Sequence, residues 1–224
     1  MELIEYPDAE MMMMDLADQL ASELRRFLSD QDHVSFVVPG GSTPGPIFDT
    51  LSGAKLDWDR VHVMLSDERW VPETSERSNT RLVKERLLVG PAAAARFIPF
   101  YTGDPTPEDG LDDVIRGLEG EFPISVLLLG MGADMHTASL FPGADRLEEA
   151  MSRDAPPLMA MRAPGAPEPR VTLTRPYLDG AMSKHIVITG AEKREAIERA
   201  RHLDVLEAPI KGVWSEAKIH WAES

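Results

Sequence analysis

The 224-residue chain contains no cysteine. That absence excludes disulfides, thiol nucleophiles and thiolate metal sites together. Long hydrophobic runs are also missing, and none approaches the ~20 residues that a helix needs to cross a bilayer. The opening Met1-Glu2-Leu3-Ile4-Glu5-Tyr6-Pro7-Asp8 is acidic and has no signal-peptide pattern, so the expectation is a cytoplasmic protein with no membrane association. Positive charge is scarce: 23 Lys and Arg stand against 38 Asp and Glu, a net charge of -15. Nucleic acid is disfavoured as a partner, because its binding relies on neutralising phosphates with Lys and Arg. An anionic ligand would have to be held by local cations against the overall field.

What is present is an ordinary globular composition, 43% hydrophobic and 27% charged. At this length one continuous core is expected, so residues 1–224 are read as a single domain. Met12, Leu16, Leu20, Leu24 and Phe27 recur at helical spacing and predict a helix over 9–29. Within it, the Met11–Met14 run reads as adaptable core and surface filling. Strands are predicted at 34–38, 61–65, 126–129, 158–161, 170–173, 185–189 and 218–221. Helices are predicted from Ser42 or Thr43, as the capping residue, to Leu51, from Ser78 over 79–88, over 106–119 and over 191–202. Residues 66–76 read as a polar loop, and 90–123 as a surface excursion with no chemical motif. Strands alternating with helices predict an α/β fold, a mainly parallel sheet with helices on both faces and small extra strands beside the site.

Chemistry gathers where strands end. The apolar run Val126–Leu129 leads into Gly130-Met131-Gly132-Ala133-Asp134-Met135-His136, which delivers a carboxylate and an imidazole to a carboxyl edge, where open α/β sheets keep their ligands. Val37-Val38 leads into Gly40-Gly41-Ser42-Thr43-Pro44, whose glycine amides and hydroxyls suit an anion. This loop is neither a Walker loop nor a dinucleotide fingerprint, so no nucleotide cofactor is suggested. Asp67 in Ser66-Asp67-Glu68-Arg69-Trp70 suits a sugar hydroxyl, and Arg69 an anion. Arg170 and Lys193 are further cations beside strand ends. The six histidines show no paired ligand spacing, and no metal is expected. Amides, hydroxyls, a carboxylate and cations at four strand ends are the set a sugar phosphate needs.

Gly40–Pro44, Ser66–Pro72, Gly130–Gly143 and Gly190-Ala191-Glu192-Lys193, with His136-Thr137-Ala138-Ser139-Leu140-Phe141-Pro142-Gly143 the most telling stretch, resemble the motif set of the 6-phosphogluconolactonases in order and over residues 34–200. The resemblance implies a cofactor-free hydrolase that opens 6-phospho-glucono-1,5-lactone in the oxidative pentose phosphate pathway. It implies His136 as the base acting on water, Asp134 as its orienting carboxylate, and oxyanion donors in either Gly40–Ser42 or Gly130–Gly132. Ser42, Thr43, Arg170 and Lys193, with Arg69, would hold the phosphate. The fold relatives, glucosamine-6-phosphate deaminases, offer an alternative in which Asp67 and His136 shuttle a proton. A non-catalytic sugar-phosphate sensor is a third reading, disfavoured because such modules accompany a DNA-binding domain for which this chain has no room. The family usually reads Asp-Gly-His where this chain has Asp134-Met135-His136. If that glycine needs positive φ, methionine costs on the order of 1 kcal/mol or more, or shifts the loop.

Overall fold

The computed structural model describes every residue from Met1 to Ser224. In chain order the elements are β1 (Glu2–Glu5), α1 (Ala9–Asp30), β2 (Val34–Val38), α2 (Gly45–Leu51), β3 (Val61–Leu65), β4 (Asp67–Arg69), α3 (Asn79–Arg86), β5 (Arg96–Ile98), α4 (Pro107–Gly117) and β6 (Val126–Leu129). They continue with α5 (Leu147–Ala150), β7 (Leu158–Met161), β8 (Arg170–Leu173), α6 (Arg175–Asp179), β9 (Ser183–Thr189), α7 (Ala191–Ala200) and β10 (Lys218–Ala222).

Seven strands form one sheet in the order β1-β10-β9-β6-β2-β3-β5, with every neighbouring pair parallel. β2 and β6 are buried at each residue, so both faces of the sheet are covered and alternation disappears from their sequences. α1 supplies much of the cover. Asp8 caps it by accepting from the Met11 amide at 2.8 Å, and Met12, Leu16, Leu20 and Leu24 are fully buried. Met11 and Met14 face solvent on the same helix while Met12 and Met13 enter the core. From β2 the chain first adds β3 and β5 on one side, then returns to add β6, β9 and β10 on the other. The carboxyl ends of β2 and β6 therefore flank a topological switch point, the place where such sheets open a crevice.

Three expectations need correction. The 66–76 segment is not all loop: Asp67–Arg69 forms β4, which pairs antiparallel with β8, and β8 with β7, in a second sheet. A strand this charged forms because its two buried carboxylates are satisfied. Glu68, fully buried, accepts from the amides of Arg69, Asn79 and Thr80 at 2.9, 2.8 and 2.9 Å, and burial still pushes its carboxyl above the usual range. Neither Ser42 nor Thr43 caps α2, which begins at Gly45 behind Pro44 with no side-chain cap. Segment 90–123 is more than an excursion. It provides the edge strand β5 and buries Phe100 and Leu118 in the core. The short edge strand β1 and helices α5 and α6 carry too few residues to show a period.

Beneath α1, β9 and β10 place two imidazoles in line. Tyr6 Oη donates to Asp15 at 2.8 Å and meets His220 Nδ1 at 2.9 Å; His220 Nε2 meets His185 Nδ1 at 2.9 Å; His185 Nε2 meets Glu23 at 2.9 Å. Burial pushes His220 down to about 3, and the neighbouring His185 adds to the fall.

Candidate active site

Four loops leave the carboxyl edge of the parallel sheet and surround a cleft of about 260 Å³. Gly40, Gly41, Ser42 and Thr43 follow β2, Asp67 and Arg69 follow β3, Gly130, Gly132 and His136 follow β6, and Lys193 opens α7 after β9. Arg170, the first residue of β8, reaches the same cleft because β8 pairs with β4, with Arg170 directly opposite Arg69. Asp134 stands behind His136 and does not itself line the cleft.

The β6 loop is built to aim one ring. The Gly132 amide donates to the His136 carbonyl at 3.0 Å, closing the turn, and Thr137 Oγ1 donates to Gly130 O at 2.8 Å. Asp134 Oδ1 accepts from the His136 amide at 3.1 Å and also meets His136 Nδ1. One carboxylate oxygen thus fixes both the backbone and the ring of the same residue. Burial alone would raise Asp134, but the hydrogen bond and charge of His136 prevail and hold it below the usual range. An ionised Asp134 is an acceptor only, so Nδ1 is the nitrogen that donates to it and Nε2 is the one left for the cleft. Phe141 packs against the ring at 4.4 Å between centroids, and the imidazole stays 30% exposed. Gly132 has no room for a side chain, since a Cβ there would lie 2.3 Å from His136 Nδ1 and 2.7 Å from Asp134 Oδ1.

Met135 keeps the left-handed backbone, φ 69°, so the loop has not shifted to suit the side chain. Its amide donates to Gly132 O at 2.9 Å and its carbonyl accepts from Ile210 at 3.1 Å, which holds the strained turn from both sides. The side chain is only 5% exposed and joins the core. Burying it offers about 1.5–3 kcal/mol, which offsets the about 1–3 kcal/mol that left-handed backbone costs.

The cleft's cations are partly uncommitted. Arg170 is buried, lies 3.3 Å from Glu168 and stacks over Phe141, yet its Nε has no hydrogen-bond partner. Arg69 gives Nη1 to Arg77 O at 2.8 Å, and its Nε is likewise buried and unpartnered. Lys193 is half-buried and lines the same cleft. Buried donors left unmatched are costly, and two of them beside free hydroxyls suit an anion. Asp67 is differently placed. Its Oδ1 accepts from Ser66 Oγ at 2.7 Å and its Oδ2 from Ser139 Oγ at 2.6 Å, with the residue almost fully buried.

Comparison with known proteins now bears on this arrangement. The sequence profile of glucosamine-6-phosphate isomerases/6-phosphogluconolactonase matches residues 7–221. The chain belongs to that family. A 6-phosphogluconolactonase of Rhizobium meliloti is 40% identical over 99% of this chain and 98% of its own length. One from Pseudomonas aeruginosa is 39% identical over 92% of this chain and 88% of its own. A crystal structure of a 6-phosphogluconolactonase from Shewanella baltica superposes with a TM-score of 0.94 at 32% identity, covering 99% of this chain and 97% of that one.

For this member of the glucosamine-6-phosphate isomerase/6-phosphogluconolactonase family, sequence reasoning overlooked the residues that hold the site rather than face the ligand. Asn79 lines the cleft and donates to Asp67 O at 3.1 Å, and its side chain fills the space a Cβ at Gly40 would need. Glu168 binds Arg77 through two contacts, at 2.6 and 2.8 Å, and also neutralises Arg170. Thr172 accepts from the Ser139 amide at 3.2 Å. A Glu two residues before Arg170 was a visible signal; the others depend on register between distant strands.

Proposed function

We propose that this chain hydrolyses 6-phospho-D-glucono-1,5-lactone to 6-phospho-D-gluconate, the lactone-opening step of the oxidative pentose phosphate pathway. The observation that carries the reading is His136, held by Asp134, sharing one cleft with two arginines that each have a buried, unmatched Nε. Near-full-length relatives named 6-phosphogluconolactonase support it.

In this reading the phosphate is held by Arg170, Lys193 and Arg69 with the Ser42 and Thr43 hydroxyls, remote from the reacting carbon, and its binding energy orients the ring. His136 Nε2 takes a proton from water as the water oxygen bonds to C1. Asp134 favours the imidazolium that forms. The Gly132 amide is already engaged by the His136 carbonyl, which leaves the Gly40–Ser42 amides, with those of Gly130 and Met131, to meet the oxyanion. Collapse breaks the bond from C1 to the ring oxygen. The imidazolium returns its proton to that leaving oxygen, giving the open-chain acid, which ionises in water. A δ-lactone is already electrophilic, so base catalysis of about 10²–10⁴-fold is a sufficient contribution.

The deaminase-type alternative needs a second free acid or base. Asp67, the candidate, has a hydroxyl on each carboxylate oxygen and little exposure, which counts against that use. The decisive assay compares freshly generated 6-phosphogluconolactone with unphosphorylated gluconolactone, each against its uncatalysed rate. Fast turnover of the phosphorylated lactone alone is expected. Equal rates on both, or none on either, would remove the proposal.

Lys193→Ala and Arg170→Ala are each expected to raise KM for the phosphorylated lactone about 10- to 100-fold, with kcat changed far less. Wild-type KM in both variants would move the phosphate elsewhere. Gly132→Ala puts a methyl against the His136 ring, and a misplacement of this kind is expected to lower kcat about 100-fold with the circular dichroism spectrum unaltered.

A further inference from the structure

The opposite edge of the sheet carries a second cluster, independent of the proposed hydrolysis. His33 immediately precedes β2, His62 is the second residue of β3, and Glu121 lies between α4 and β6. Parallel pairing of β2 with β3 and of β2 with β6 brings the three amino ends together, away from the cleft at the carboxyl ends. Glu121 is 5% exposed. One of its oxygens meets His62 Nδ1 at 2.6 Å; the other is buried with no hydrogen-bond partner and lies 3.6 Å from His33 Nε2. The two imidazoles stack at 4.2 Å, and one ligand atom from each of the three residues lies within 4.8 Å of the others.

We propose that His33, His62 and Glu121 bind a divalent transition-metal ion of the zinc class. Two imidazoles and a carboxylate form a donor set that zinc takes in three-ligand sites, whereas calcium and magnesium prefer oxygen alone. Zinc held at its usual bond lengths spaces tetrahedral donors about 3.3 Å apart. The separations of 2.6 and 3.6 Å, each to its own Glu121 oxygen, bracket that value, and one donor atom from each residue lies within 4.8 Å of the others. Closing on an ion requires mainly that His33 turn out of the stack, and His33 is the exposed member, at 38%. A cavity of about 340 Å³ borders His33 and Glu121, giving entry and room for a water as fourth ligand. The orphaned Glu121 oxygen is the independent sign, because a buried carboxylate oxygen without a donor is costly unless a cation completes it. Bound metal would clip the starts of β2 and β3 to the approach of β6.

The test uses the full chain without an affinity tag, freed of metal by chelator and titrated with Zn²⁺ by calorimetry and with Co²⁺ by visible absorption. One equivalent is expected, with the intense ligand-field bands of low-coordinate Co²⁺ and a rise in Tm of about 5 °C in excess Zn²⁺. His33→Gln, a change at an exposed residue that leaves the core intact, and Glu121→Gln should each weaken binding about 100-fold and abolish the Tm rise. His33→Gln should leave lactone hydrolysis unchanged. Binding that persists in His33→Gln but disappears in His136→Ala would place the ion in the cleft and overturn the proposal, as would wild-type protein that binds no Zn²⁺.

Discussion

Replacing His136 with alanine is expected to lower kcat for the phosphorylated lactone by about 10²–10⁴-fold while 6-phosphogluconate binds with nearly its original affinity. The two parts follow from separate pieces of the cleft. The imidazole is the group whose Nε2 faces the cleft with its other nitrogen held by Asp134. The proposed partners of the anion, Arg69, Arg170 and Lys193, come from other loops. Removing the ring deletes the base without touching them. Asp134 loses its partner but is 54% exposed, so water can take over and the loop keeps its Gly132, Thr137 and Ile210 hydrogen bonds. The measurement is single-turnover hydrolysis corrected for the spontaneous reaction, with product affinity by calorimetry. Near-normal kcat would dismiss His136 as the base. A large loss of product affinity would show that the ring binds rather than catalyses.

How much of this was legible beforehand depended on whether the signal was local. Buried parallel strands announce themselves as apolar runs, and 34–38, 61–65 and 126–129 match the observed strands residue for residue. The loops after them were readable because glycine, hydroxyl and charge cluster where an apolar run stops. What escaped was anything set by register. Nothing adjacent to Arg69 shows that Arg170, 101 positions later, lies opposite it. His33 and His62 have no ligand spacing as a sequence pair, yet parallel pairing stacks their rings. Glu121 sat in a segment read as empty of chemistry. β4 was missed for a related reason: Asp-Glu-Arg has no strand character until Asn79 and Thr80 amides arrive to satisfy Glu68. Met135 marks the limit of composition-based inference, because its left-handed backbone is tolerated through burial and two clamping hydrogen bonds that only the fold supplies.

Acid should destabilise this protein from about pH 6.5 downward, and His220 is the reason. Its imidazole is fully buried among His185, Tyr6 and the sheet, and burial holds it down to about 3. In the unfolded chain the same ring takes a proton near its reference value of ~6.5. Between those values the unfolded state binds a proton that the folded state refuses. Stability is therefore complete above pH ~6.5 and falls by about 1.4 kcal/mol per pH unit as acid is added, levelling off near the folded value. The whole window amounts to on the order of 5 kcal/mol, a large part of the 5–15 kcal/mol typical of a folded domain. Glu23 adds to the loss only at lower pH. Burial alone would raise it, but its bond to His185 outweighs that and leaves it below the usual range, so its share disappears below pH ~4.5. Urea denaturation at steps from about pH 7 to pH 5 isolates the histidine. His220→Asn keeps a neutral polar group in the same place and should flatten the dependence there, even if its absolute stability is lower. Parallel slopes in the two proteins would return the acid sensitivity to other groups.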